Sequence, residues 1–200
     1  MKKRQLTKRD EAILLLLKRC DFMTRDQIRR YFRIGTIRHT NRILGELSEY
    51  LTRIRDGQQT IFYLNKNGRQ YVDCNKIRKK GGHVQHTVMR NDLWLHYGCP
   101  SDWRSEIKVS DGKTNVIVDA MFTQSLRYHF LEVDRTQTMT ENRAKIKRYK
   151  ELATTGLLTE KLGHFPTVIW LTTTELRRKQ LQEACSALPI AKVYTLDDIK

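Results

Sequence analysis

The chain has 200 residues, a hydrophobic fraction of 39% and a formal net charge of +16. No apolar run approaches the roughly 20 residues that a membrane-spanning helix needs. The longest run, 12–17, is short for a signal-peptide core and is followed by Lys18 and Arg19 and by no small-residue cleavage site, so a signal peptide is not expected. A soluble, cytoplasmic protein without a membrane partner is therefore predicted.

The positive charge is concentrated in the first part of the chain. Residues 1–80 contain 21 Lys and Arg against 8 Asp and Glu, whereas residues 81–200 contain 17 against 14. This asymmetry predicts two modules, of which the first meets a polyanion. Double-stranded DNA fits better than a membrane surface, because the basic residues are not interleaved with exposed Trp or Phe anchors.

The first module reads as three helices followed by a β-hairpin. Thr24, with Gln27 three residues later, is typical of a capping box, and Gly35-Thr36 marks another helix start. Asp56-Gly57 between two strand-like runs predicts the hairpin turn. The predicted helices are 8–19, 25–32 and 37–50, the strands are 51–55 and 60–64, and a short helix over 65–72 closes the module. This order is that of a winged helix-turn-helix.

A helical wheel divides the third helix into two faces. Ile37, Leu44, Leu47 and Leu51 share one side and are expected to face the core. Polar and basic residues on the opposite side, together with the hairpin, form the predicted DNA-binding set: Thr36, Arg38, His39, Arg42, Arg53, Arg55, Gln58 and Gln59. A winged helix that contacts another protein, or a face that is simply solvated, is the alternative.

The predicted domains are a winged helix over 1–78, a basic linker over 79–83 and a second domain over 84–200. The second domain reads as helix, three strands, helix, strand, helix, strand. Its strand over 165–171 is almost entirely apolar, which indicates a strand buried on both faces. A helix between apolar strands favours a partly parallel sheet, so the fold class is α/β with a mixed C-terminal sheet.

Three carboxylates lie in neighbouring strands of that sheet. Asp119 falls in the second strand, and Glu132 and Asp134 stand two residues apart in the third, so that these two point to the same face. Buried carboxylates need a cation, a basic partner or protonation. Mg²⁺ or Mn²⁺ bound by these three acids, with Glu106 of the preceding strand as a further ligand, is the predicted metal site.

The strand order with its Asp and Glu-x-acid resembles the PD-(D/E)XK nuclease-like superfamily, which implies a restriction-endonuclease-like domain. In that superfamily a Lys two residues after the Glu activates water. Asp134 occupies this position here, and Lys145, Lys147 or Arg135 could replace the missing Lys; Lys145 is the catalytic candidate, beside Asp119, Glu132 and Asp134. The alternative is a degenerate centre in which the acids pair with Arg135, Arg143 or Lys145.

The whole chain is similar to the replication-relaxation family of plasmids and mobile elements. The motifs are Val118-Asp119-Ala120, the run from Leu131 to Arg135, and Lys145-x-x-x-Tyr149. This resemblance implies a role in plasmid replication, or in resolving plasmid topology, through DNA binding. The predicted function is DNA binding in replication, relaxation or transcriptional control through the winged helix, with a degenerate nuclease-like second domain. A Mg²⁺-dependent nuclease or nickase is the rival hypothesis, and the sequence leaves open a homodimer.

Overall fold

The computed structural model describes residues 5–199 and separates the chain into two compact units, 1–91 and 92–200. The division falls inside one helix, His83–His96, whereas the linker predicted from the sequence, 79–83, comes before it. Within 5–199, no helix combines the length and the apolar character that crossing a membrane would require.

The first unit contains a three-stranded antiparallel sheet with the strand order β1-β3-β2. Its elements are α1 (Lys8–Cys20), β1 (Met23–Thr24), α2 (Arg25–Tyr31), α3 (Ile37–Glu46), β2 (Leu51–Asp56), β3 (Gln59–Leu64), α4 (Lys66–Tyr71) and the first part of α5 (His83–His96). The two-residue strand β1 was not predicted, because only its pairing with β3 distinguishes it from a helix cap.

Capping boxes begin α1 and α2, and the box of Thr24 and Gln27 at α2 is the one that the sequence predicts. The Thr7 hydroxyl accepts from the backbone N–H of Asp10, and the Asp10 carboxylate accepts from Thr7 in return. Thr24 and Gln27 make the same reciprocal pair at the start of α2. Each box satisfies two backbone N–H groups that a helix start otherwise leaves unbonded.

The core face of α3 differs from the predicted one. Ile37, expected in the core, is 47% exposed, whereas Thr40 and Ile43 are fully buried beside Leu44 and Leu47. The reason is the phase of the helix: these four buried residues are spaced three and four apart, and Ile37 lies at the edge of their stripe in the first turn.

The second unit is built on a five-stranded sheet with the order β4-β5-β6-β7-β8. After α5 come β4 (Arg104–Ser110), β5 (Asn115–Gln124), β6 (Arg127–Val133), α6 (Met139–Thr154), α7 (Leu157–Leu162), β7 (Thr167–Thr172), α8 (Glu175–Ala184), a 3₁₀ turn (Cys185–Ala187), β8 (Ala191–Thr195) and α9 (Leu196–Ile199). The pairs β4–β5 and β5–β6 are antiparallel, and β6–β7 and β7–β8 are parallel. The predicted mixed α/β class is confirmed.

The core of the second unit lies between the sheet and α6. All six residues of β7 are buried, as its apolar run predicts. Ile146, Tyr149 and Leu152 of α6 are buried in one hydrophobic cluster with Phe130 and Trp170 of the sheet. This packing places the buried face of α6 directly over β6, the strand that carries Glu132.

Candidate functional site

All eight residues predicted to bind DNA are exposed. Thr36, Arg38, His39 and Arg42 lie at the start and along the outer side of α3, and Arg53, Arg55, Gln58 and Gln59 lie on the β2–β3 hairpin. The Thr36 hydroxyl caps α3 by accepting from the N–H of His39 at 3.1 Å. Thr36 therefore has a structural function that is independent of any ligand.

The arginines of this face differ in their surroundings. Arg42 forms an ion pair with Glu46 one turn along α3, at 2.8 Å, and lies 3.2 Å from a ring nitrogen of His39. Arg55 donates to the carbonyl of Gly57 in the hairpin turn. Arg38 and Arg53 make no ion pair within residues 5–199, so their guanidinium groups are available to an anionic ligand.

In the second unit, Glu132 is the centre of a buried polar cluster. Lys145 and Tyr149 of α6 both donate to its carboxylate, Lys145 to Oε2 and Tyr149 to Oε1. The two donors are four residues apart, which is one helical turn, so both reach β6 from the same face of α6. Each carboxylate oxygen of Glu132 therefore has a partner.

Asp134 is enclosed by a different set of donors. Arg177 of α8 donates to it at 2.7 Å, Asn142 of α6 at 2.8 Å and Thr172 of β7 at 3.0 Å. Arg177 also donates to the carbonyl of Gln137. Both Glu132 and Asp134 contact α6, so the predicted common face is observed, but the two acids have separate partners.

Asp119 lies where the pairing of β5 with β6 ends. The last pair is Ala120 with Leu131, and beyond it Oδ2 of Asp119 accepts from the backbone N–H of Val133 at 2.7 Å. On the neighbouring strand β4, Glu106 lies opposite Asp119, at a position where the pairing of β4 with β5 is interrupted. Glu106 is exposed and has φ 58°, a left-handed conformation that a non-glycine residue adopts only under local strain.

Burial dominates the electrostatics of this cluster. Burial and, after it, the neighbouring Asp119 raise the pKa of Glu132, whereas Lys145 and Tyr149 lower it, and the resulting pKa is about 8. Burial and the adjacent Glu132 raise the pKa of Tyr149 well above its usual value, so the phenol remains a donor. Both raised pKa values favour the protonated, uncharged forms of Glu132 and Tyr149.

The arrangement does not fit the predicted metal. The oxygens of Glu132 and Asp134 are already taken by protein donors, three of which belong to the cations Lys145 and Arg177. Over residues 5–199, no group of three or more His, Cys, Asp or Glu is placed to hold a metal ion. Mg²⁺ or Mn²⁺ remains a prediction of the sequence.

Several residues of this centre were missed by sequence reasoning. Tyr149 was noted only as part of a motif, although the Lys-x-x-x-Tyr spacing could have placed it beside Lys145 on Glu132. Asn142, Thr172 and Arg177 carry no such signal, because they reach Asp134 from three separate elements. The degenerate alternative named Lys145 correctly as a partner of Glu132, but Arg177 is the cation that pairs with Asp134.

Comparisons with known proteins give a family match and a weak likeness to a solved structure. None of the curated protein sequences matches the chain. The structure of Can2 from Sulfobacillus thermosulfidooxidans, in complex with cyclic tetra-adenylate, is similar with a TM-score of 0.36 and 10% identity, over 94% of this chain and 49% of Can2. This chain thus spans about half the length of Can2. Residues 14–168 match the replication-relaxation family, and the protein therefore belongs to that family.

Proposed function

We propose that the protein binds double-stranded DNA through a winged helix formed by its first unit, and that it acts by this binding in the replication of a plasmid or mobile element. Its family supports the role in replication. The second unit contributes a nuclease-like fold in which protein donors occupy the carboxylates of Glu132 and Asp134; we call this arrangement the closed centre. Recognition rather than cleavage is therefore the function of the chain.

One observation carries the DNA-binding proposal: α3 is amphipathic with a basic outer side. It buries Thr40 and Ile43 and leaves Arg38, His39 and Arg42 exposed. A helix of this kind, followed by a hairpin, can enter the major groove of DNA while the hairpin reaches the adjacent backbone or minor groove. The excess of Lys and Arg over residues 1–80 supplies the long-range attraction to phosphate.

The closed centre supports a structural role for the nuclease-like acids. A metal ligand must offer its oxygens to the cation, whereas those of Glu132 accept from Lys145 and Tyr149. Lys145 is the residue predicted as the catalytic lysine, but here it donates a hydrogen bond to Glu132. These contacts favour the degenerate form of the fold over the nuclease hypothesis.

The test is a titration of a labelled DNA duplex with the wild-type chain and with Arg38→Ala at several salt concentrations. We expect Arg38→Ala to bind more weakly and to reduce the slope of log K against log salt by about 1. Lys161→Ala, which removes an exposed charge from α7 in the second unit, is the control and should bind as the wild type does. The stoichiometry of the same titration tests the predicted homodimer.

Equal affinity and equal salt slope for wild type and Arg38→Ala would refute the assignment of α3 as the recognition helix. A wild-type chain that binds no duplex at low salt would refute the proposed function as a whole. The low-salt measurement is decisive, because phosphate contacts are strongest there.

A further inference from the structure

A groove of about 600 Å³ lies in the first unit between α3 and the β2–β3 hairpin. Its apolar lining comes from Leu44, Leu51 and Phe62, and its basic lining from Arg25, Arg53 and Arg55. Among the described residues, 5–199, no Asp or Glu lines it. The groove therefore combines apolar contacts with three guanidinium groups that come from α2 and β2.

Gly45 lies in the wall that α3 contributes to this groove. A Cβ added at Gly45 would meet no heavy atom within 4 Å, and the backbone there is not left-handed. Gly68 in α4 is the opposite case, because a Cβ there would lie 2.2 Å from the carbonyl oxygen of Tyr50. Packing thus explains Gly68, whereas neither packing nor backbone conformation explains Gly45.

Glycine in a helix is unfavourable relative to alanine, so a helical glycine without an internal reason indicates close approach from outside. At Gly45, a ligand that approaches the helix closely would lie in the groove. Its charge defines what can approach: Arg53 and Arg55 have no carboxylate partner within residues 5–199, and Arg25 has only the exposed Asp26, at 3.4 Å. The ligand of this groove is therefore anionic.

We propose that this groove receives one sugar–phosphate strand of duplex DNA, and that Gly45 lacks a side chain so that the strand can approach α3. The inference rests on the proposed function and deepens it. The strand that separates the major from the minor groove must pass between a helix in the first and a hairpin in the second. Its phosphates match the arginines, and its deoxyribose edges match the apolar lining.

The experiment measures duplex affinity and melting temperature for Gly45→Ala and Gly45→Gln in the full chain. Alanine and glutamine are better helix formers than glycine, and a Cβ at this position meets no heavy atom within 4 Å, so both variants should melt no lower than the wild type. Affinity for the duplex should fall from wild type to Ala and further to Gln, as the side chain fills the space of the strand.

Arg53 of the hairpin gives a second measurement. Arg53→Ala should reduce the salt slope of duplex binding by about 1, whereas Lys161→Ala in the second unit should leave it unchanged. This change separates loss of a phosphate contact from a general loss of folding, since an unfolded variant would lose its melting transition as well.

Each outcome decides between the two hypotheses. If Gly45→Gln binds as the wild type does while Arg38→Ala loses affinity, the groove inference is wrong and the proposed function stands. If the wild type binds no duplex, both are overturned. If Gly45→Gln binds duplex normally but loses affinity for an acidic peptide such as poly-glutamate, the groove is a protein-binding site and the inference is again wrong.

Discussion

The Nε of Arg177 lies 2.7 Å from Oδ2 of Asp134, and this pair joins the start of α8 to the end of β6. Asp134 is 1% exposed. A carboxylate at such a position is costly to keep charged unless a cation and further hydrogen bonds compensate for its lost hydration. Arg177, Asn142 and Thr172 provide this compensation, which gives Asp134 a structural role in the centre.

Replacement of Arg177 by Met should destabilise the protein by about 3 kcal/mol, because it leaves the carboxylate of Asp134 buried without its cation. Urea unfolding followed by circular dichroism measures the change. Arg178→Met is the control: Arg178 pairs with the exposed Glu175 and the partly exposed Asp198, so its removal should change stability little. Equal losses for the two variants would contradict a special role for the buried pair.

Most of the fold could be predicted from local patterns. The capping box of Thr24 and Gln27 marked the start of α2, Asp56-Gly57 marked the hairpin, and the apolar run of β7 indicated a buried strand. These signals depend on neighbours within a few residues, which a sequence displays directly. The short elements α7 and α9 were missed, because helices of 6 and 4 residues are too short to display a helical periodicity.

The candidate centre was predictable in part. Alternation along β6 placed Glu132 and Asp134 on one face, and the structure puts both against α6. Alternation does not tell which donor reaches each acid, since this depends on how α6 and α8 pack on the sheet. The sequence therefore predicted a shared metal, whereas the structure gives each acid its own protein partners.

Removal of the Tyr149 hydroxyl should destabilise the second unit. Tyr149→Phe leaves Oε1 of Glu132 buried without its donor, which costs about 1–3 kcal/mol. The measurement is chemical unfolding at pH 7. Tyr128→Phe is the matched control, because the ring of Tyr128 stacks on His164 and its side chain is only half-buried. Identical stability of Tyr149→Phe and wild type would show that the hydrogen bond from Tyr149 to Glu132 does not stabilise the protein.

The raised pKa of Glu132 predicts a dependence of stability on pH. The pKa is 4.5 when the chain is unfolded and about 8 when it is folded, so between these values the folded state holds a proton that the unfolded state has lost. The contribution of Glu132 to the free energy of unfolding is complete below pH 4.5. It falls as the pH rises to 8, with a limiting slope of about 1.4 kcal/mol per pH unit.

Glu132→Gln removes this titration and should flatten the stability profile between pH 5 and 8. Glu141→Gln is the control. Glu141 caps α6, and hydrogen bonds from Thr138 lower its pKa, so its titration lies below this range. Denaturant midpoints at half-unit steps of pH supply the measurement. A profile of Glu132→Gln that is as steep as that of the wild type would place the titrating group elsewhere.

The occupied oxygens of Glu132 predict that the chain does not cleave DNA. Supercoiled plasmid incubated with the wild type and Mg²⁺ or Mn²⁺ should remain supercoiled, because Lys145 and Tyr149 compete with any cation for the carboxylate. Gel electrophoresis of the plasmid gives the readout, under salt conditions where a gel shift shows bound DNA. The comparison variant is Asp119→Ala, which removes the acid nearest to Glu132. Metal-dependent nicking by the wild type that Asp119→Ala abolishes would establish an active nuclease centre and overturn the closed one; intact plasmid in both reactions leaves DNA recognition as the activity of the chain.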